Sequence, residues 1–127
     1  METKKSIEQL HEEHKIWLNK LAFYKDESAI MKNRIGEIAN KNTSKEVLAF
    51  VEHFQNQLIM RDEQMDILRH EINEHEMFLE QQADKKNTSL EHPKFYDHPE
   101  HRNAMNEFEN SFNALRKELM DFLFKWM

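Results

Sequence analysis

The sequence contains no cysteine, one glycine and two prolines among its 127 residues. Without cysteine the chain has no disulfides, no thiolate zinc sites and no thiol nucleophiles. A single glycine excludes glycine-rich phosphate-binding loops and the nucleophile turn of hydrolases. The scarcity of glycine and proline also removes most of the signals that mark strands and tight turns. The composition therefore predicts a helical chain.

The sequence also lacks an excess of basic residues and a long apolar run. Its formal net charge is -6, and the two signs of charge are interspersed along the chain. A nucleic-acid partner is therefore not expected, because such binding needs a basic face. No run approaches the roughly 20 apolar residues that span a bilayer, and the N-terminal residues lack the apolar stretch of a secretory signal. We accordingly expect no membrane partner and a cytoplasmic location.

The chain does contain a regular spacing of large side chains. From residue 7 to residue 38, such positions recur in alternating steps of three and four. This is the spacing of a heptad seam, and it predicts one long helix over about residues 6–40. A capping box at Ser6 and Gln9 marks its start, and the polar run at 40–42 marks its stop. The seam positions are Ile7, Leu10, His14, Trp17, Leu21, Tyr24, Ser28, Met31, Ile35 and Ile38.

Two further seams follow the first. Thr43 and Glu46 form the next capping box, which predicts a helix over about residues 44–84, antiparallel to the first because the turn is short. Residues 85–97 break the pattern as a loop, and Asp97 then caps a shorter helix over about 98–127. These seams are Val47, Val51, Phe54, Leu58, Arg61, Met65, Leu68, Ile72, His75 and Leu79, then His101, Met105, Phe108, Phe112, Leu115, Leu119, Phe122 and Trp126. The sequence thus predicts an all-α, single-domain antiparallel bundle of two long helices and one shorter helix, with coiled-coil-like packing.

The register of these helices predicts self-association. With the turn centred near residue 42, seam residues of the first two helices pair when their numbers sum to about 86, so Ile7 meets Leu79. Phe54 then lies near Trp126, and the third helix is too short to cover the closed end of the hairpin. Such uncovered apolar surface favours a homodimer or another helical protein as partner, whereas a third helix bent over that end, or broken long helices, would give a monomer. The residues without cover include Ile35, Ile38 and Val47, and the expected interface comprises Ile30, Leu48, Phe50, Leu123, Phe124 and Trp126.

Most of the eight histidines fall at the open end of the predicted bundle. His14, His75 and His101 occupy seam positions on three helices, and such a cluster can hold a divalent transition metal in a bundle core. The spacing fits no known template well, because a di-iron bundle needs Glu-x-x-His on two helices and only Glu8 and His11 provide it. The favoured interpretation is a hydrogen-bonded polar layer without a cofactor. The metal alternative would use His11, His14, Glu71, His75 and His101.

Ser28 and Arg61 are polar interruptions of the seams at mid-length. Buried polar residues at such positions often fix helix register and oligomeric state. We therefore predict that Ser28 and Arg61 specify the register, with an acid such as Glu27 or Asp121 neutralising Arg61. The most economical function is a non-enzymatic interaction or scaffold module, and the alternative is a metal-binding bundle.

Three segments carry a resemblance to known proteins. Leu-His-Glu-Glu-His-Lys-Ile-Trp at 10–17, Phe-Tyr-Lys-Asp-Glu at 23–27 and Val-Glu-His-Phe-Gln-Asn-Gln at 51–57 resemble small uncharacterised bacterial helical-bundle proteins. The resemblance covers most of the first two helices and less of the third. It implies the helical-bundle fold, and it implies no activity and no site residues.

Overall fold

The computed structural model describes residues 7–83 and 99–127. These residues form three helices, α1 over Ile7–Lys41, α2 over Lys45–Ala83 and α3 over Pro99–Trp126, and the described ranges contain no strand. The three helices pack against one another, so the predicted all-α bundle of two long helices and one shorter helix is confirmed. The predicted caps at Ser6 and Asp97 and the predicted loop 85–97 lie outside the described residues.

The turn between α1 and α2 is closed by two hydrogen bonds. The Asn42 side-chain amide donates to the Ile38 carbonyl oxygen at 2.9 Å, which satisfies one of the free carbonyls at the end of α1. The Leu48 N–H donates to the Ser44 carbonyl oxygen at 3.0 Å, which makes Ser44 the N-cap of α2. The stop at 40–42 was therefore predicted correctly, but the cap lies one residue later than the predicted Thr43.

The buried side chains follow the predicted spacing. On α1 every predicted seam residue except Ile7 is buried, from Leu10 to Ile38. Most seam residues of α2 and α3 join them in one apolar cluster. Phe112 and Leu119 of α3 are fully enclosed, and burying a side chain of this size contributes about 1.5–3 kcal/mol. The core therefore runs along the axis between the three helices.

The pairing of α1 with α2 differs from the predicted register. Leu10 and Leu79 form a buried pair, with the predicted partner Ile7 packed against it, and the ion pairs Lys25–Asp66 and Lys32–Asp62 join the helices nearer the turn. The residue numbers of these pairs sum to between 89 and 94, not 86. The turn itself occupies residues 42–44, close to the predicted centre, so this difference does not come from the position of the turn.

The third helix reaches further than predicted. The Phe122 ring lies 5.1 Å from Phe54 and 5.8 Å from Phe50, whereas Trp126 was expected beside Phe54. The additional helical turn of α3 covers the end of the bundle where residues 42–44 connect α1 to α2. The prediction that this end lacks cover is therefore wrong for three residues, which are no more than 1% exposed: Ile35, Ile38 and Val47.

Candidate interaction surface

A chain of polar contacts joins the three helices near the start of α1. The His14 Nδ1–H donates to Glu76 Oε1 at 2.8 Å, and His11 hydrogen-bonds the other oxygen of the same carboxylate. The His14 and His75 ring centroids are 4.8 Å apart, and those of His75 and His101 are 5.8 Å apart. The structure thus brings together the four predicted histidines, with His14 and His75 buried.

The contacts of His11 and His14 with Glu76 are those of a hydrogen-bonded polar layer. The carboxylate of Glu76 occupies the space between the His11 and His14 nitrogens. Glu71, the predicted acidic ligand, instead lines a groove between α2 and α3. No three His, Asp or Glu residues within 7–83 and 99–127 are placed to hold a metal ion. Glu76 was missed because it lies just beside the seam, where an acidic residue is usually solvated; its position next to His75 was the available signal.

Ser28 and Arg61, the predicted register residues, occupy different environments. Ser28 is 1% exposed, and its hydroxyl has no hydrogen-bond partner within the described part of the chain. Arg61 is only partly buried and donates to Gln64 on its own helix at 2.8 Å. The prediction that an acid from a neighbouring helix neutralises Arg61 is wrong for Glu27, because that carboxylate binds Arg116.

Three ion pairs form a ladder between α1 and α3. Its rungs are Glu13–Arg102, Lys20–Glu109 and Glu27–Arg116, with shortest distances of 2.7 Å and 3.3 Å in the first two. Each rung joins residues 89 positions apart, and the rungs follow one another at seven-residue steps. A constant difference means that α1 and α3 run parallel. The sequence analysis missed this ladder because it considered only the apolar seams and not the charged positions beside them.

The signs along the ladder alternate. The α1 members are negative, positive and negative, and the α3 members are the reverse. A slip of α3 by one heptad would place Lys20 opposite Arg102 or Arg116, and like charges in contact are unfavourable. Each rung is partly exposed, so its direct contribution to stability is about 1 kcal/mol or less. The ladder therefore selects the register more than it stabilises the fold.

Tyr24 connects the ladder to the core. It is buried, and its O–H donates to Glu109 Oε2 at 2.7 Å. Burial, followed by this hydrogen bond and by the negative charge of Glu109, raises the pKa of Tyr24 to about 12. The Arg116 guanidinium lies 5.8 Å from the centre of the Tyr24 ring and 5.3 Å from that of Phe112, within the range of cation–π attraction.

Large apolar side chains lie exposed beside the ladder. Ile16, Phe23 and Ile30, which we call the α1 stripe, are 53%, 58% and 58% exposed. Each lies three positions after a ladder residue of α1, so the α1 stripe borders the ladder on the outside of the bundle. Of the α1 stripe, the sequence analysis had identified only Ile30.

The other predicted interface residues divide into two groups. Leu48, Phe50 and Phe124 are exposed, and Phe124 is the most exposed of them at 74%. Leu123 is buried in the chain's own core, and Trp126 packs partly buried against it. The prediction of Leu123 as an interface residue is therefore wrong. Leu123 lies seven residues after Arg116, the last ladder residue of α3, and packs into the core of its own chain.

Comparisons with family models, curated proteins and solved structures return no match. The resemblance to small bacterial helical bundles thus stays a prediction. None of the three described helices carries an apolar stretch that could cross a membrane. What the molecule presents is a three-helix bundle with a polar layer near one end and an uncovered apolar row along one side.

Proposed function

We propose that this protein is a non-enzymatic interaction module that self-associates through the side of the bundle that carries the ladder. The observation that supports this function is the α1 stripe. Three large apolar side chains are more than half exposed at seven-residue spacing. A row with this spacing faces one direction along a helix, as in a coiled-coil contact. The cytoplasmic location stays a prediction.

Several features support a helical partner over a small ligand. The α1 stripe extends over about 21 Å, from the helical rise between Ile16 and Ile30, which suits the length of another helix. Its three side chains are more than half exposed, whereas small molecules bind in concave pockets that bury most of their surface. Covering apolar rows of this kind favours association by about 25 cal/mol for each Å² buried, before the costs of binding are subtracted.

Light scattering after size exclusion, at micromolar to hundred-micromolar protein, tests this function. The chain has a mass of 15.5 kDa, and we expect a species of twice that mass. Phe23→Glu should weaken the dimer at least about tenfold, because a carboxylate would have to be desolvated in the contact. Met77→Glu is the matched control, because Met77 of α2 is 59% exposed, close to the 58% of Phe23, and α2 contributes no residue to the ladder.

Two results would overturn the proposed function. A wild-type chain that remains a monomer at the highest concentration does not self-associate. Equal dimerisation of the wild type and of Phe23→Glu, with loss of dimer in Met77→Glu, would place the contact on α2 instead of on the α1 stripe.

A further inference from the structure

The outer face of α3 carries a second row with heptad spacing. Starting at residue 103, its members recur in steps of three and four along the whole helix, and all of them are exposed. Only one of them is charged, in a chain with 33% charged residues. We call this set the α3 row, and it consists of Asn103, Asn106, Asn110, Asn113, Lys117, Met120, Phe124 and Met127.

The α3 row is divided into two chemically distinct halves. Its first half consists of four asparagines. Because asparagine is a weak helix former, helix stability does not explain its presence at these exposed positions. A carboxamide both donates and accepts hydrogen bonds, so it can pair with an identical carboxamide. The second half is apolar, with Met120, Phe124 and Met127 from 38% to 74% exposed. Each half is therefore complementary to itself.

We propose, on the basis of the proposed self-association, that the α3 row binds the α3 row of a second copy, with the two helices parallel and in register. In this arrangement asparagine meets asparagine and the apolar half meets the apolar half. An antiparallel arrangement would place Phe124 against Asn106 and Met120 against Asn110, which leaves polar amides against apolar side chains.

The charges beside the α3 row favour the same arrangement. Arg102 and Arg116 lie just before row residues, while Glu107 and Asp121 lie just after them. In a parallel pair of helices, a residue just before a contact position faces a residue about five positions further along the partner helix, which lies just after a contact position. Arg102 then faces Glu107 of the second copy, and Arg116 faces Asp121 of the second copy. Both guanidinium groups are already bound in the ladder, and Arg116 also donates to Asn113 Oδ1 at 2.7 Å, so each would share its charge with the second copy. Both side chains keep about a third of their surface exposed beside the ladder, at 31% and 30%.

Lys117 is the one charged member of the α3 row. In the parallel pair it meets only its own equivalent, and a single basic residue on a helix seam specifies register at some cost in stability. A slip of one heptad would bring Lys117 against Asn110 and Phe124 against Lys117 of the second copy. That slip would separate the two lysines, but it would break up the apolar half and place a charge against Phe124, so the apolar contacts favour the in-register pair.

Disulfide trapping tests the proposal cleanly, because the natural sequence has no cysteine. Asn106→Cys and Phe124→Cys are prepared as separate single variants of the full chain and oxidised at micromolar concentration. A parallel pair brings each residue near its own equivalent, so each variant should form a homodimeric disulfide. The rate should exceed that of Asn56→Cys, an exposed control on α2, at least about tenfold, because docking raises the effective thiol concentration.

The alternatives give different results. If a mixture of the two variants forms the 106-to-124 disulfide while neither variant alone is cross-linked, the helices are antiparallel and the proposal is wrong. If light scattering shows a dimer but no variant is trapped faster than Asn56→Cys, self-association stands and the α3 row is not its contact. A monomer at every concentration overturns both this proposal and the proposed function.

Discussion

At the scale of single residues, Tyr24 links three parts of the structure. Its ring lies 4.9 Å from Phe112 in the core, its hydroxyl is bonded to Glu109, and Arg116 lies over its face. A phenol in this setting is held neutral, because ionisation would place a second negative charge beside Glu109 in a buried position. The tyrosine is thus a hydrogen-bond donor over the whole physiological pH range.

We predict that Tyr24 ionises only near pH 12, against an ordinary value of 10.0. The folded protein holds this proton more tightly than the unfolded chain. Its contribution to stability is therefore complete below pH 10 and is lost as the pH rises from about 10 to about 12. Absorbance titration of the phenolate should show one of the two tyrosines delayed, and Tyr24→Phe should remove that delayed step. Two tyrosines that ionise together near pH 10 would contradict it.

Gly36 is a second residue whose effect can be isolated. It lies within α1, and a methyl group placed on its Cα would meet nothing within 4 Å. Gly36→Ala should therefore raise the free energy of unfolding by about 0.5–1 kcal/mol, through the lower conformational entropy of the unfolded chain. Urea denaturation measures the change. Ala29→Gly, at an exposed position of the same helix, is the reverse control and should lower stability by a similar amount.

At the scale of helices, the ladder decides how α3 lies against α1. The apolar seams alone would tolerate a shift by one heptad, because a shifted seam still meets apolar residues. The alternating charges do not tolerate it. This assigns the register of α3 against α1 to the ladder, while the predicted register role of Ser28 and Arg61 stays a prediction.

Exchanging the charges of the first rung tests this assignment. Glu13→Arg places two guanidinium groups together, and Arg102→Glu places two carboxylates together, so each should lower stability by about 1 kcal/mol. The double variant Glu13→Arg/Arg102→Glu should recover most of the loss. Chemical denaturation of the four proteins in a double-mutant cycle gives the coupling, which should fall at high salt. Additive effects of the two changes would show that the rung carries no register information.

The helices themselves could be predicted from the sequence, because burial repeats with the period of the helix. The positions from Leu10 to Ile38 contain this information locally. What the sequence did not contain locally was the partner of each residue. Glu71 and Glu76 are the same residue type on the same helix, and only the rotation of α2 against α1 places Glu76, not Glu71, between His11 and His14.

At the scale of the whole molecule, the two ends of the bundle differ. Near the α1–α2 turn, the last turns of α3 enclose Ile35 and Ile38 within the main apolar cluster. At the other end, Leu10 and Leu79 form a small separate cluster beyond the histidine layer. In the proposed contact with a second copy, the apolar half of the α3 row lies at the end of the bundle near the α1–α2 turn. There α3 packs against the main apolar cluster.

The parallel course of α1 and α3 has a mechanical consequence. With three helices alternating in direction, the described chain enters the bundle at one end and leaves it at the other. Residue 99 and residue 126 alone are separated by about 40 Å of helical rise. A pull applied to residue 7 and residue 127 would therefore slide the helices along one another, loading the ladder rungs and the seams together, instead of peeling them apart one contact at a time.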